Sequence, residues 1–199
     1  MAGSVPFAGL TGGIGAGKSE ALAALQRLGA ATLSTDAVVH DLYGGHEVRE
    51  AVVERWGPEV APEGVVDRQA VARHVFADAG ERKWLEQLLW PLVGARVVAF
   101  RMEEGRRVPP PRAIIVETPL LFEAGMNGVY DSTIAVVAPE EVRAERAAAR
   151  GHEAVDERTA RQLTQDEKAE RADFVVVNDG SVEDLELKLS AVLAKLESA

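Results

Sequence analysis

Residues 12–19 read Gly12-Gly13-Ile14-Gly15-Ala16-Gly17-Lys18-Ser19, which matches the pattern G-x-x-x-x-G-K-[ST]. This run constrains the fold more than any other, because it specifies a ligand and the backbone that must surround it. Glycines let the chain turn tightly, so that N–H groups point inward on an anion. A lysine at the Lys18 position reaches the outer phosphates of a nucleoside triphosphate, and a hydroxyl at the Ser19 position ligates Mg²⁺. The flanks suit that role. Val5-Pro6-Phe7-Ala8-Gly9-Leu10 is an apolar run fit for a buried strand. After the loop, Ala21, Leu22, Leu25 and Leu28 share one face of a helix that Gly29 stops. The start of that helix adds its positive end to the phosphate site. Gly13, Ile14, Gly15, Ala16, Gly17, Lys18 and Ser19 are the expected nucleotide-binding residues, with Ser19 the expected metal ligand.

Downstream, apolar strands alternate with helical patterns. Ala31-Thr32-Leu33-Ser34 reads as a second strand, Ala113 to Thr118 as a third, Ser132 to Val137 as a fourth and Phe174 to Val177 as a fifth. Residues 37–107 read as helices, with Asp67 capping one that runs through Phe76 and Pro91 breaking or restarting a longer one. Gly105 and Pro109-Pro110-Pro111 mark a stiff connection. Pro139 is placed to open a charged helix ending near Gly151, a second charged helix fits Asp156 to Arg171, and Ser181 is placed to cap the last helix. Five apolar strands separated by helices predict an α/β fold, a P-loop-type parallel sheet with helices on both faces. Ligands then bind at the carboxyl ends of the strands. The helical segment between strands two and three is expected to form an acceptor site, and the charged segment 139–171 a cover.

Composition excludes several alternatives. There are no cysteines among the 199 residues, so disulfides, thiolate metal sites and cysteine nucleophiles are out, and a cytoplasmic location is compatible. The four histidines lack metal-ligand spacing. A net charge of −10 argues against broad nucleic-acid binding but not against a nucleotide, which needs only local cations. No run is long enough to span a membrane, and the N-terminus lacks the basic-then-apolar pattern of a signal peptide.

Other residues are candidates for the chemistry. Asp36, just past the second strand, is placed to orient an acceptor hydroxyl, take its proton or hold Mg²⁺ through water; a helix N-cap is an equal alternative. Glu117 at the end of the third strand reads either as an acid near the metal or as a solvated carboxylate, and Glu123 is a weaker candidate. Arg143, Arg146 and Arg150 share one helix face. They are available to close on a triphosphate, or to pair with Glu140, Glu141 and Glu145. With a triphosphate site in place, Arg146 and Arg150 are the preferred cations. Trp84, Trp90 and Phe100 read as core residues, His40 and His74 as surface or lightly packed ones, and Asn178-Asp179-Gly180 as a turn.

The run Gly9-Leu10-Thr11 through Ser19 resembles the N-terminus of bacterial dephospho-CoA kinases, as does the placement of Asp36. Val116-Glu117-Thr118-Pro119-Leu120-Leu121-Phe122-Glu123 resembles the family's stretch ending in Pro-Leu-Leu-Phe-Glu. The helix after Ala138-Pro139-Glu140 is similar too, and so is the tail with Gln162, Lys168 and Ala172-Asp173 through Asn178-Asp179-Gly180-Ser181. The resemblance implies ATP- and Mg²⁺-dependent phosphorylation of the ribose 3′-hydroxyl of dephospho-CoA, the last step of coenzyme A synthesis. It implies a nucleotide core of 1–36, 112–138 and 172–199, a helical acceptor domain of 37–111 and a lid of 139–171. It also implies phosphate binding by Lys18 and the loop amides, a metal bond from Ser19, Asp36 as general base, Arg146 as lid arginine and Arg150 as a second lid cation. Ser34-Thr35-Asp36 stands where the family commonly has Asp-Ala-Asp, which removes one carboxylate, and Trp90 stands where it often has His. Another small-molecule kinase and a nucleotide switch are the rival readings. The missing Asn-Lys-x-Asp pattern counts against a guanine-specific switch.

Overall fold

The computed structural model describes residues 4–149 and 162–198. The chain divides into two compact units, one running through Ser34 and resuming at Arg101, the other spanning Thr35–Phe100.

The first unit is built on five parallel strands: β1 (Phe7–Gly12), β2 (Ala31–Ser34), β3 (Ile114–Glu117), β4 (Ser132–Val137) and β5 (Phe174–Val177). Their order is β2-β3-β1-β4-β5. The phosphate-loop strand is therefore central. Leu10 pairs with Glu117 on one side and Ile134 on the other. β1 runs two residues further than its apolar pattern predicts, because Gly12 still pairs with Val136 although it adds no side chain to the pattern. Helices α1 (Lys18–Arg27) and α8 (Val182–Glu197) cover one face of the sheet, enclosing Leu10, Leu25, Ile115, Ile134, Leu189 and Leu193. Each such side chain removed from water contributes about 1.5–3 kcal/mol. On the other face Gly9 lets Leu121 and Tyr130 close in; a Cβ there would lie 2.5 Å from Leu121 Cδ1 and 2.7 Å from Tyr130 Cδ2.

Both capping signals hold. Ser181 and Asp184 form a reciprocal capping box at the start of α8. Asp67 accepts from Gln69 N at 2.8 Å, opening α4 (Arg68–Ala77). Helix α6 (Glu140–Ala149) starts one residue after Pro139, whose carbonyl accepts from Arg143 N. Of the helix expected from Asp156 to Arg171, residues 156–161 lie outside the described residues, and the rest is not helical throughout. Gln162 to Thr164 are non-helical, and a new helix α7 (Gln165–Arg171) begins with its own capping box between Thr164 and Glu167. That box supplies a local start signal that the charge pattern conceals. At the edge strand β5 the alternating side chains differ: Val176 is buried, while Val175 and Val177 are 46% and 41% exposed.

The second unit is helical, as its sequence predicts: α2 (Thr35–Gly44), α3 (His46–Trp56), α4 and most of α5 (Ala79–Glu104), with two short 3-10 turns at Pro58–Val60 and Pro62–Gly64. Pro91 does not break α5. The lost hydrogen bond costs about 3 kcal/mol, and Leu85 and Leu89, buried on the preceding turns, anchor the helix. The core of this unit joins Val48, Val52, Trp56, Val60, Val71 and Leu85. His74 stacks on Trp56 at 5.1 Å, Trp84 meets Trp56 edge-on at 5.1 Å, and Arg68 bonds His40 Nδ1 at 3.0 Å. Trp90 is 55% exposed, contrary to its reading as core.

Candidate active site

The phosphate loop leaves β1 at Gly12 and enters α1 at Lys18. Gly17 caps α1 with φ at 92°, left-handed backbone that a side chain would strain, and an added Cβ would collide with Asn178 Nδ2. Lys18 Nζ donates back to the Gly13 carbonyl at 3.2 Å. Its ammonium is thus curled over the loop, where it can be transferred from the carbonyl to a phosphate. Ser19 is exposed in the first turn of α1, and the loop residues Gly13, Ala16 and Gly17 are buried.

Two neighbouring elements clamp the loop. From β5, Asn178 donates through Nδ2 to the Ala16 carbonyl at 2.9 Å, while its backbone N–H donates to Val137 O at 2.7 Å. From α6, Arg143 Nε donates to the Ile14 carbonyl at 3.0 Å, and its Nη1 pairs with Glu140 at 2.6 Å. Arg146, one turn further, donates to the Asn178 carbonyl at 3.4 Å. A cavity of about 200 Å³ lies beside the loop, lined by Gly17, Glu20, Arg146, Asn178, Ser181 and Val182.

Of the arginine stripe, Arg143 touches the loop and Arg146 lines the cavity, whereas Arg150 lies outside the described residues. The sequence ranked Arg143 last of the three. Asn178 was hidden inside an Asn-Asp-Gly turn signal. Its position directly after β5, at the carboxyl edge, was the available clue.

Glu117 closes β3 in register with Leu10 of β1 and Ser34 of β2, and it is 7% exposed, so its reading as a solvated carboxylate is corrected. After it, the Thr118 hydroxyl bonds Tyr130 Oη at 2.8 Å; burial pushes the Tyr130 phenol up, with the Thr118 bond opposing. Asp36 belongs to the other unit. Helix α2 starts at Thr35, so Asp36 is exposed within the first turn and does not cap it. Along the chain it stands two residues beyond Ser34, the partner of Glu117.

Among the described residues no group of three or more His, Cys, Asp or Glu side chains is placed to hold a metal ion. Ser19, exposed in the first turn of α1, and Glu117, at the end of β3, carry oxygen donors. They are hard ligands that suit Mg²⁺, an ion that takes few protein ligands and completes its shell with phosphates and water. Among the described residues no helix is long and apolar enough to cross a membrane.

A central strand, a glycine loop clamped from two sides and a lysine at the start of the next helix define a P-loop kinase. The family model for dephospho-CoA kinase matches residues 7–184. A dephospho-CoA kinase of Symbiobacterium thermophilum is 41% identical over 88% of this chain and 74% of its own length. One of Thermus thermophilus is 40% identical over 94% of this chain and 90% of its own. A crystal structure of a Thermus thermophilus protein superposes with a TM-score of 0.78 at 37% identity, covering 97% of this chain and 98% of that one. The chain belongs to the dephospho-CoA kinase family, whose members are ATP-dependent phosphotransferases.

Proposed function

We propose that this chain transfers the γ-phosphate of ATP to the ribose 3′-hydroxyl of dephospho-CoA, giving coenzyme A and ADP. Membership of the family carries the reading, and the clamped loop supports it: Asn178 and Arg143 hold the carbonyls of Ala16 and Ile14, which fixes the loop's shape around a phosphate. Lys18 and the amides of residues 13–19 bind the phosphates, and the cavity edged by Arg146 and Ser181 takes the nucleoside. Ser19 would hold Mg²⁺, which when bound would neutralise charge on the phosphate oxygens.

Transfer is in line and asks little covalent work of the protein. Lys18 and Arg146 stabilise the charge that spreads over the transferring group. Asp36 accepts the acceptor hydroxyl's proton and, more importantly, aims its oxygen, since a carboxylate of ordinary pKa is a weak base for an alcohol. Residues 37–111 supply the acceptor site and 139–171 the cover, with Arg150 a second cation. Exclusion of water would keep ATP from simple hydrolysis.

The test is chromatographic. The purified chain is incubated with Mg-ATP and dephospho-CoA, beside a panel of nucleosides and nucleoside monophosphates. CoA and ADP in equal amount, with no ADP when acceptor is left out, is the expected result. ADP formed with a different acceptor would move the substrate; ADP formed without any acceptor would replace transfer with hydrolysis.

A further inference from the structure

One buried ion pair at the carboxyl edge of the sheet is not used by this chemistry. Lys168 of α7 is fully buried. Its Nζ donates to the Pro119 carbonyl at 2.6 Å, lies 3.0 Å from Glu123 Oε1 and stands 3.5 Å from Thr11 Oγ1. Glu123 Oε1 also accepts from Leu163 N at 2.9 Å, while Glu123 Oε2 is buried without a hydrogen-bond partner among the described residues. Burial pushes the Lys168 ammonium down, with Glu123 opposing.

Taking an ammonium and a carboxylate out of water costs several kcal/mol per ion, and an apolar pair of similar volume is often as stable. Packing alone therefore does not explain the choice of charge. What the ammonium adds is a fixed geometry among three segments. Thr11 immediately precedes the phosphate loop, and its hydroxyl also donates to the Pro119 carbonyl at 3.2 Å. Thr118 N donates to Leu10 O at 2.8 Å. These bonds tie the exit of β1 to the exit of β3. One exit carries the phosphate loop and the other follows Glu117. Lys168 closes this set of bonds from α7, and Gln165, also on α7, accepts from Ala138 N at 3.1 Å at the exit of β4.

We propose that Lys168 is a positioning residue for phosphoryl transfer: through Pro119 and Thr11 it sets the spacing between the root of the phosphate loop and the exit of β3, with Glu123 as its counter-ion. The inference rests on the kinase reading above and extends it to residues with no phosphate contact. Small displacements suffice, because misplacing reacting groups by about 1 Å costs on the order of a hundred-fold in rate.

The test separates position from stability. Lys168→Met, Glu123→Gln and the double variant Lys168→Met/Glu123→Leu are compared with the parent by thermal unfolding, ATP calorimetry and steady-state CoA formation. Lys168→Met leaves a lone buried carboxylate and lowers Tm. The double variant removes both charges and returns Tm to within a few degrees of the parent. Its kcat nevertheless stays down by about ten-fold or more, with KM for dephospho-CoA within about two-fold. Glu123→Gln keeps the Pro119 and Thr11 contacts and loses less than about three-fold in kcat. Recovery of kcat together with Tm in the double variant would overturn the proposal and leave a structural pair. A loss in Glu123→Gln equal to that in Lys168→Met would overturn it as well, and keeps the test decisive if the double variant does not fold. A parent that makes no CoA would instead overturn the functional reading, and the inference with it.

Discussion

Asn178 donates from its side-chain nitrogen to the Ala16 carbonyl over 2.9 Å, so the first residue after β5 holds the phosphate loop from behind. The same nitrogen occupies the space that any side chain on Gly17 would need. Loop and clamp are therefore matched as a pair. Asn178→Ala would leave the Ala16 carbonyl without this donor and the loop free to shift. Losing a buried hydrogen bond costs about 1–3 kcal/mol, so the Kd for ATP is expected to rise by about ten-fold by calorimetry. An unchanged Kd would mean that the loop holds its own shape.

Asp36→Asn keeps the size of the side chain and removes its charge. Transfer to dephospho-CoA is expected to be abolished while the Kd for ATP stays within about two-fold, because the role proposed for Asp36 is toward the acceptor rather than the donor. Near-normal turnover in this variant would remove Asp36 from the base role.

Arg146 lines the cavity beside the phosphate loop and reaches the Asn178 carbonyl. Arginines that meet a transferring phosphoryl group contribute about 10³–10⁵ in rate. Arg146→Lys keeps a charge but not the planar fork. A fall in kcat by about a hundred-fold or more is expected from stopped-time CoA assays, with a smaller change in KM for ATP. A change confined to KM would assign Arg146 to ground-state binding.

In the helical unit, Glu81 accepts from Arg55 at 2.7 and 2.9 Å and from Trp56 Nε1 at 2.7 Å. The Arg55 and Trp56 bonds hold its carboxyl well below the ordinary value of 4.5, at about 2. A depressed carboxyl stabilises the folded state above its unfolded pKa, and this contribution is lost as pH falls toward the folded value. Glu81→Gln is therefore expected to melt below the parent near pH 7. The gap should close as pH is lowered from about 4.5 toward about 2. A gap independent of pH would assign the effect to shape rather than charge.

Much of the sheet was legible because a buried parallel strand is written as a continuous apolar run, and four of the five runs gave the strand bounds to within a residue. The caps at Asp67 and Ser181 were legible because capping is a local bond between near neighbours. The misreadings arose where local signals compete. Pro91 carries a breaker signal that packing overrides, the capping box at Thr164 interrupts what looked like a single charged helix, and Trp90 looks like core yet faces solvent. At the site, the sequence places Arg143 behind Arg146 and Arg150 and gives Lys168 no contact, since their partners lie 129 and 49 residues away in sequence.

By itself the sequence determined the phosphate loop, the alternating α/β order and the family. Each of these rests on residues that act on near neighbours or on the period of the chain. The tertiary structure alone decided that β1 is the central strand, that Arg143 and Asn178 clamp the loop from 129 and 162 residues further along the chain, and that Lys168 is buried against Pro119. Those relationships depend on strand order and on the cost of leaving polar groups unpaired inside the fold, and neither is encoded in any local stretch of sequence.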